Sequence, residues 1–368
     1  MTTIINGSSP SITFSDGSAQ TSATQPFQNR IINGAMVIDQ RNAGASVTPA
    51  NADVTLDRWG SNMFPNASKY TVVRSSTAPA GFTNSLLVTS SSAYSIGATD
   101  IYTQFQWIEG FNTADLNWGS ANAKTVTLSF WVRSSLTGTF GGALQNSDGT
   151  RSYPFSYTIS VANTFEYKTI TIAGDTSGTW LTTNGRGIGV IFGLGVGSTY
   201  SGTAGAWSGS AFYSATGATS VVGTNGATFF ITGCQLEVGS TATSFDYRPF
   251  GTELALCQRY FQTIGGDVSS QFAGTGMNYA TNAANIYIPL LTKMRATPTV
   301  GFSSVSDWGI TYASGAQAVA TGIASDQSST VSANISVTVS GTPLTNGGAS
   351  KLIAQATTAA RLNFSSEL

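Results

Sequence analysis

Across residues 124–133 apolar and polar positions alternate. Val126, Leu128, Phe130 and Val132 share one face, and Thr125, Thr127, Ser129, Trp131 and Arg133 the other. A period of two puts successive side chains on opposite faces of a β-strand. In residues 187–197, Ile188, Val190, Phe192, Leu194 and Val196 alternate with Gly189, Ile191, Gly193 and Gly195. In residues 227–238 simple parity assigns Phe230 and Leu236 to one side and Phe229 and Ile231 to the other, which predicts a strand covered on both faces. Residues 69–74, 85–89, 101–108, 153–161 and 166–172 read as further strands. Asp148-Gly149, Asn184-Gly185 and Asn225-Gly226 supply turn chemistry between them. Helical spacing with caps is nearly absent, and the best case is one short turn near residues 252–257.

These elements fall into three regions. Residues 1–27 are rich in Ser, Thr and Gly, contain one short alternating piece at Ser11-Ile12-Thr13-Phe14, and read as an arm that folds only against something else. Residues 28–250 hold at least eight strands, enough for a jelly-roll β-sandwich, and end at the break Arg248-Pro249-Phe250-Gly251. Residues 251–368 carry a second strand set, at 257–264, 285–290, 299–303, 331–339, 351–354 and 361–364, and predict a smaller distal β-sandwich. The expected class is all-β.

Composition narrows the chemistry. The 368 residues include 16 Lys+Arg, 17 Asp+Glu and no histidine, and charged residues make up 9%, against about 25% in an ordinary domain. Without histidine there is no Ser-His-Asp or Cys-His machinery and no His-bearing zinc site. Without a basic excess there is no electrostatic capture of nucleic acid. A net charge of −1 favours association. Met1-Thr-Thr-Ile-Ile-Asn-Gly7 lacks the charged and apolar regions of a signal peptide. The longest low-polarity run, residues 187–197, is far short of a membrane span, so no membrane insertion is expected. Cys234 and Cys257 lack CxxC spacing and read as two buried thiols of a reducing compartment, with a disulfide or reactive thiol as the alternative.

Ile12-Thr13-Phe14-Ser15-Asp16-Gly17-Ser18-Ala19-Gln20 resembles a segment common in bacteriophage tail-fibre and virion proteins. Asn29-Arg30-Ile31-Ile32-Asn33-Gly34-Ala35-Met36, Asp39-Gln40-Arg41 and Leu56-Asp57-Arg58-Trp59 resemble the opening of their carbohydrate-binding-module-like jelly roll. Gln235-Leu236-Glu237-Val238-Gly239 through Arg248-Pro249 looks like its close. Glu253-Leu254-Ala255-Leu256-Cys257-Gln258-Arg259-Tyr260-Phe261, Met294-Arg295-Ala296-Thr297-Pro298-Thr299 and Phe364-Ser365-Ser366-Glu367-Leu368 fit their distal module. The resemblance implies a homotrimeric virion appendage assembled in the bacterial host cytoplasm. It would be attached to a tail or capsid protein through residues 1–27, with the distal domain as the tip and host-surface polysaccharide as its partner. A capsid or tail-collar decoration with a purely structural role is the alternative, and a glycan depolymerase is the third reading.

Sugar recognition needs aromatic faces for stacking and planar hydrogen-bonding groups. Trp107 and Trp118 flank Glu109 to Asp115, while Tyr200, Trp207, Phe212 and Tyr213 lie in a stretch, residues 187–236, that carries no charge. Trp308, Tyr312, Tyr279 and Phe272 are the distal counterparts. Large aromatics in a sandwich are more often core or subunit-interface residues. The jelly rolls named above often carry a structural calcium, but Thr232-Gly233 stands where its Asp is usual, so no metal site and no cofactor is assigned. Asp53, Asp57 and Glu237 are the remaining oxygen donors. Asp57 and Arg58 read as a local ion pair or turn contact orienting Trp59. Twelve Asp and five Glu include no distinctive pair. The densest group, Asp100, Glu109 and Asp115, reads as turn caps, so no catalytic residue is assigned. Gly193-Leu-Gly195-Val-Gly197 lacks the P-loop lysine and reads as strand glycines packed on another backbone.

Overall fold

The computed structural model describes residues 27–65, 68–313 and 315–368, with the backbone of three two-residue strands before them. Those strands, Ile4–Ile5, Ile12–Thr13 and Ala19–Gln20, pair as a small antiparallel sheet. The rest of the arm before Phe27 lies outside the described residues, and so does its expected contact with a virion partner.

Two antiparallel sheets form the sandwich. One has six strands in the order Ser152–Ile159, Gly138–Gln145, Arg186–Val196, Ile101–Glu109, Trp59–Phe64 and Asp53–Leu56. The other has five, in the order Glu166–Ile172, Val126–Ser134, Thr228–Val238, Ser85–Ser90 and Tyr70–Ser75. Their facing residues make one core, in which Val126, Leu128, Phe130 and Val132 meet Ile188, Val190, Phe192 and Leu194. Each such side chain supplies about 1.5–3 kcal/mol by leaving water.

The strand Thr228–Val238 departs from simple parity. A bulge between Thr232 and Gln235 sets an extra residue against the neighbouring strand. Gly233 there takes φ +60°, in the left-handed region that favours glycine. Side-chain phase flips across it, so Leu236 joins Phe229 and Ile231 in the core rather than sharing a side with Phe230. Phe230 turns outward beneath Arg133, whose guanidinium lies 4.9 Å from the ring centre.

The distal strands do more than stack. Six of them close a barrel in the order Phe272–Ala280, Ala283–Pro289, Ser332–Val339, Ala316–Ser325, Trp308–Tyr312 and Ala349–Ala354. A three-stranded sheet of Phe261–Ile264, Leu362–Ser365 and Thr299–Phe302 extends the same core. The expected short helical turn is a nine-residue helix, Phe250–Gln258, and it leads from the sandwich into this unit.

Sandwich and distal unit meet through the segments that carried the sequence resemblance. Ile32, Ile38, Cys257 and Tyr260 bury one another in a small core. Glu253 accepts from the backbone of Asn33 and pairs with Arg248 at 3.2 Å. Glu367 pairs with Arg41 at 2.7 Å and with the buried Arg58. Arg295 donates to the carbonyls of Ser366 and Glu367 at 2.7 and 2.8 Å. These motifs are joinery between the two units.

Candidate functional site

The sandwich aromatics are spent largely on packing. Trp118, Trp180 and Trp207 meet edge to face, with ring centres 4.7, 5.3 and 5.5 Å apart, and Tyr153 joins Trp207 at 5.2 Å. Their indole N–H groups donate to the carbonyls of Lys124 at 2.8 Å, Ser177 at 3.2 Å and Ala173 at 2.7 Å. The cluster therefore clasps loops over the end of the core. On the outer face of the six-stranded sheet Trp107, 9% exposed, packs with Phe105 and Ile191, and the Arg186 guanidinium lies 5.1 Å from its ring centre. Tyr213 covers the same patch and meets Tyr200 edge to face at 5.7 Å. Phe212 is half-buried. The residue 198–226 loop lies down on the sheet: a Cβ at Gly193 would stand 2.7 Å from Ser214 Oγ and 3.0 Å from the Gly141 carbonyl oxygen. The strand glycine is thus packed on another backbone, as expected.

The acidic residues are likewise engaged. Asp100 accepts from the Gly97 N–H at 2.8 Å and caps a turn. The other two acids of that group correct the expectation. Asp115 forms a two-pronged ion pair with Arg30 at 2.6 and 2.7 Å, and Glu109 pairs with Arg259. Asp57 and Arg58 do not pair with each other. Asp57 accepts from the backbone and side chain of Gln40 at 2.7 and 2.6 Å, Arg58 reaches Glu367 and the Trp107 carbonyl, and Trp59 is oriented by its N–H to the Asn33 carbonyl at 3.0 Å. Their charges serve contacts far along the chain. Asp53 and Glu237 serve their own loops through Ala50 and Thr243. Among the described residues no group of three or more Cys, Asp or Glu could hold a metal ion. Both cysteines are buried and free, and burial pushes both thiols above their ordinary range, away from thiolate chemistry.

The distal barrel presents a different surface. Trp308 is fully buried in the barrel core, which removes it as a receptor contact: its large ring fills the interior instead. Tyr312, four residues on, is half-buried and lines a cavity of about 460 Å³ with Thr275, Asn278, Thr311, Ser350 and Lys351. A second cavity, of about 530 Å³, shares Thr275 and continues past Phe272, Tyr287 and Leu291. The two make one groove across the barrel wall, and both volumes are of ligand-site size.

Strand register explains the groove. Tyr287 pairs with Thr275, Thr275 with Lys351, and Lys351 with Thr311. The row extends to Asn334 beyond Tyr287 and to Gln317 beyond Thr311. Neighbouring strands lie about 4.8 Å apart, so Tyr287 and Lys351, two strands apart, stand about 10 Å apart along the row. Phe272 and Tyr287 are each 54% exposed. Among the described residues the side chains of Thr275, Thr311, Tyr287 and Lys351 make no hydrogen bond, ion pair or ring contact within the chain. Tyr279, 50% exposed, bonds Ser336 at 2.8 Å over the intervening strand Ala283–Pro289.

Sequence reasoning named Tyr312, Phe272 and Tyr279 here but missed Tyr287, Lys351, Thr275 and Thr311. Tyr287 was readable, because it alternates with Ile286 and Ile288 and so must face away from them. Thr275 was not, because Phe272–Ala280 has no hydrophobic alternation.

The fold shows weak structural similarity to known β-sandwich proteins. The enzymatically active domain of tailspike protein 4 of bacteriophage CBA120 matches with 12% identity and a TM-score of 0.32, covering 59% of this chain. This chain spans 22% of that tailspike domain. A family 11 carbohydrate-binding module of a Clostridium thermocellum cellulase matches with 15% identity and a TM-score of 0.26, covering 55% of this chain and 99% of the module. A xylan-binding domain from Paenibacillus barcinonensis matches with 12% identity and a TM-score of 0.21, covering 55% of this chain and 99% of the domain. No protein-family model and no curated protein matches the chain. Among the described residues no helix is long and apolar enough to cross a membrane.

Proposed function

We propose that the chain is a bacteriophage fibre or adhesin that binds host-surface glycan without covalent chemistry, the sandwich acting as scaffold and the barrel groove as the recognition face. The observation that carries this reading is the groove: the exposed rings of Phe272 and Tyr287 beside the hydroxyls of Thr275 and Thr311 and the Lys351 ammonium, which have no side-chain partner among the described residues. Sugars are recognised by that combination, with ring stacking for the apolar face of the pyranose and hydrogen bonds for its hydroxyls. The ordered motifs of the sequence support the virion assignment, with residues 1–27 as the attachment arm. The near-zero net charge supports assembly into a homotrimer.

A glycan array probed with the full chain, and with Tyr287→Ala and Phe272→Ala variants, tests the recognition face. Selective loss of glycan signal by folded variants is expected, and retention by both would remove the groove from the reading. Release of reducing ends from host polysaccharide would turn it towards a depolymerase. Light scattering reads the oligomeric state. Labelling of intact virions reads the position, and a capsid-vertex position without glycan binding would favour a structural decoration.

A further inference from the structure

The proposed groove is neutral along most of its length, and its two charges stand at opposite ends. Lys351 lies in the row between Thr275 and Thr311, lines the Tyr312 cavity and has no carboxylate partner among the described residues. Asp267 lines the other cavity, near Phe272 and Tyr287, and is bonded by Gln271 at 3.3 Å. Nine of the other fifteen Lys and Arg side chains stand within 4.0 Å of a carboxylate, among them Arg30, Arg41, Arg58, Arg151, Arg248 and Arg259. A lysine left unpaired between two threonine hydroxyls on the outer barrel wall is a place for an anion.

Resting on the glycan reading, we infer that the groove selects an acidic glycan, one carrying a sugar carboxylate such as a hexuronic acid. The carboxylate lies at the Lys351 end and a neutral sugar ring against Tyr287 and Phe272. The polarity follows from charge. Lys351 attracts an anion as a compact point charge, while Asp267 repels one from the aromatic end. The row spacing of about 10 Å between Tyr287 and Lys351 matches two linked pyranose rings, so one disaccharide unit spans the aromatic platform and the ammonium. Thr275 and Thr311, on either side of Lys351, offer hydroxyls that donate to the carboxylate or accept from sugar hydroxyls.

The test uses the full chain and two probes, a 1,4-linked hexuronic acid tetramer and the same tetramer with its carboxyls reduced to alcohols, each titrated by calorimetry at low and at physiological salt. The acidic probe is expected to bind at least threefold more tightly at low salt, with the difference shrinking as salt rises. Lys351→Gln is expected to erase the difference, and Lys351→Arg to keep most of it. Thermal unfolding checks that both variants fold; Lys351 is exposed, so both should. Equal affinity of the wild type for the two probes overturns the acidic preference. If Tyr287→Ala then still weakens both probes, the glycan reading stands without it. A preference that survives in Lys351→Gln overturns the assignment of Lys351. No binding of either probe by the wild type overturns this inference and removes the hexuronates from the glycan reading, which the array tests separately. Inorganic phosphate and a sulfated neutral tetramer serve as competitors; displacement of the acidic probe by phosphate alone at equal concentration would show a general anion site and overturn the sugar-specific inference.

Discussion

The hydroxyl of Tyr260 donates to the carboxylate of Glu109 across 2.6 Å, joining the distal unit to the last residue of a central sandwich strand. Arg259 grips the same carboxylate at 2.8 and 2.5 Å. Burial pushes the Glu109 carboxyl up, but the bonds from Arg259 and Tyr260 and the charges of Arg259 and Arg295 outweigh it and hold it below its ordinary value. The contact therefore fixes how the proposed recognition face sits on its scaffold.

Glu109→Gln is expected to lower stability by about 1–3 kcal/mol, less than a fully buried pair because the Arg259 side chain keeps some contact with water. Since the folded carboxyl titrates below the ordinary value of about 4.3, its stabilisation is complete above that pH and is lost as pH falls through the folded value. Urea unfolding between pH 3 and 7 should show that acid-side loss in the wild type and a smaller one in the variant.

Asp57 has the opposite sign. Burial dominates and raises its carboxyl to about 6, against the lowering effects of Arg41 and of the bonds from Gln40. The folded form then holds its proton to higher pH than the unfolded chain. Stability from this group is greatest at low pH, declines as pH rises from about 4 to about 6, and is flat beyond. The full change is on the order of 2–3 kcal/mol. Asp57→Asn should remove that declining segment from the pH profile of the unfolding midpoint, and an unchanged profile would refute the assignment.

Trp308→Ala should destabilise the barrel by about 3–5 kcal/mol through cavity formation. Any loss of binding would follow from unfolding. Its indole N–H has no hydrogen-bond partner among the described residues, so Trp308→Phe removes an unsatisfied donor along with some volume and should cost clearly less. Calorimetric unfolding of the two variants gives the comparison, and equal losses would contradict it.

Gly233→Ala should be costly on two counts. The backbone holds φ +60°, and the new Cβ would stand 2.7 Å from the Phe82 ring. A loss of about 1–3 kcal/mol is expected. Gly209→Ala, at an open position with no neighbour within 4 Å, should change stability by less than about 0.5 kcal/mol. Thermal midpoints of the pair provide the check.

Much of the sandwich was legible because one buried face forces strict alternation. Val126, Leu128, Phe130 and Val132 enter the core as their spacing predicted, and Glu166–Ile172 has the predicted bounds. The strands Gly138–Gln145, Trp59–Phe64 and Phe272–Ala280 were missed, because glycines and polar residues interrupt their pattern. The groove was half legible: its aromatics could be named one by one, but not the register that lines them up.

By itself the sequence determined the all-β class and the absence of histidine chemistry, since these depend on composition and on neighbours along the chain. Only the tertiary structure decided that Gly233 reverses the phase of its strand, that Trp308 is inside the barrel, and that Lys351 stands beside Thr275 and Thr311. Each of those depends on strand pairing between residues distant in sequence, and a period of two shows which face a residue shares without showing what lies across from it.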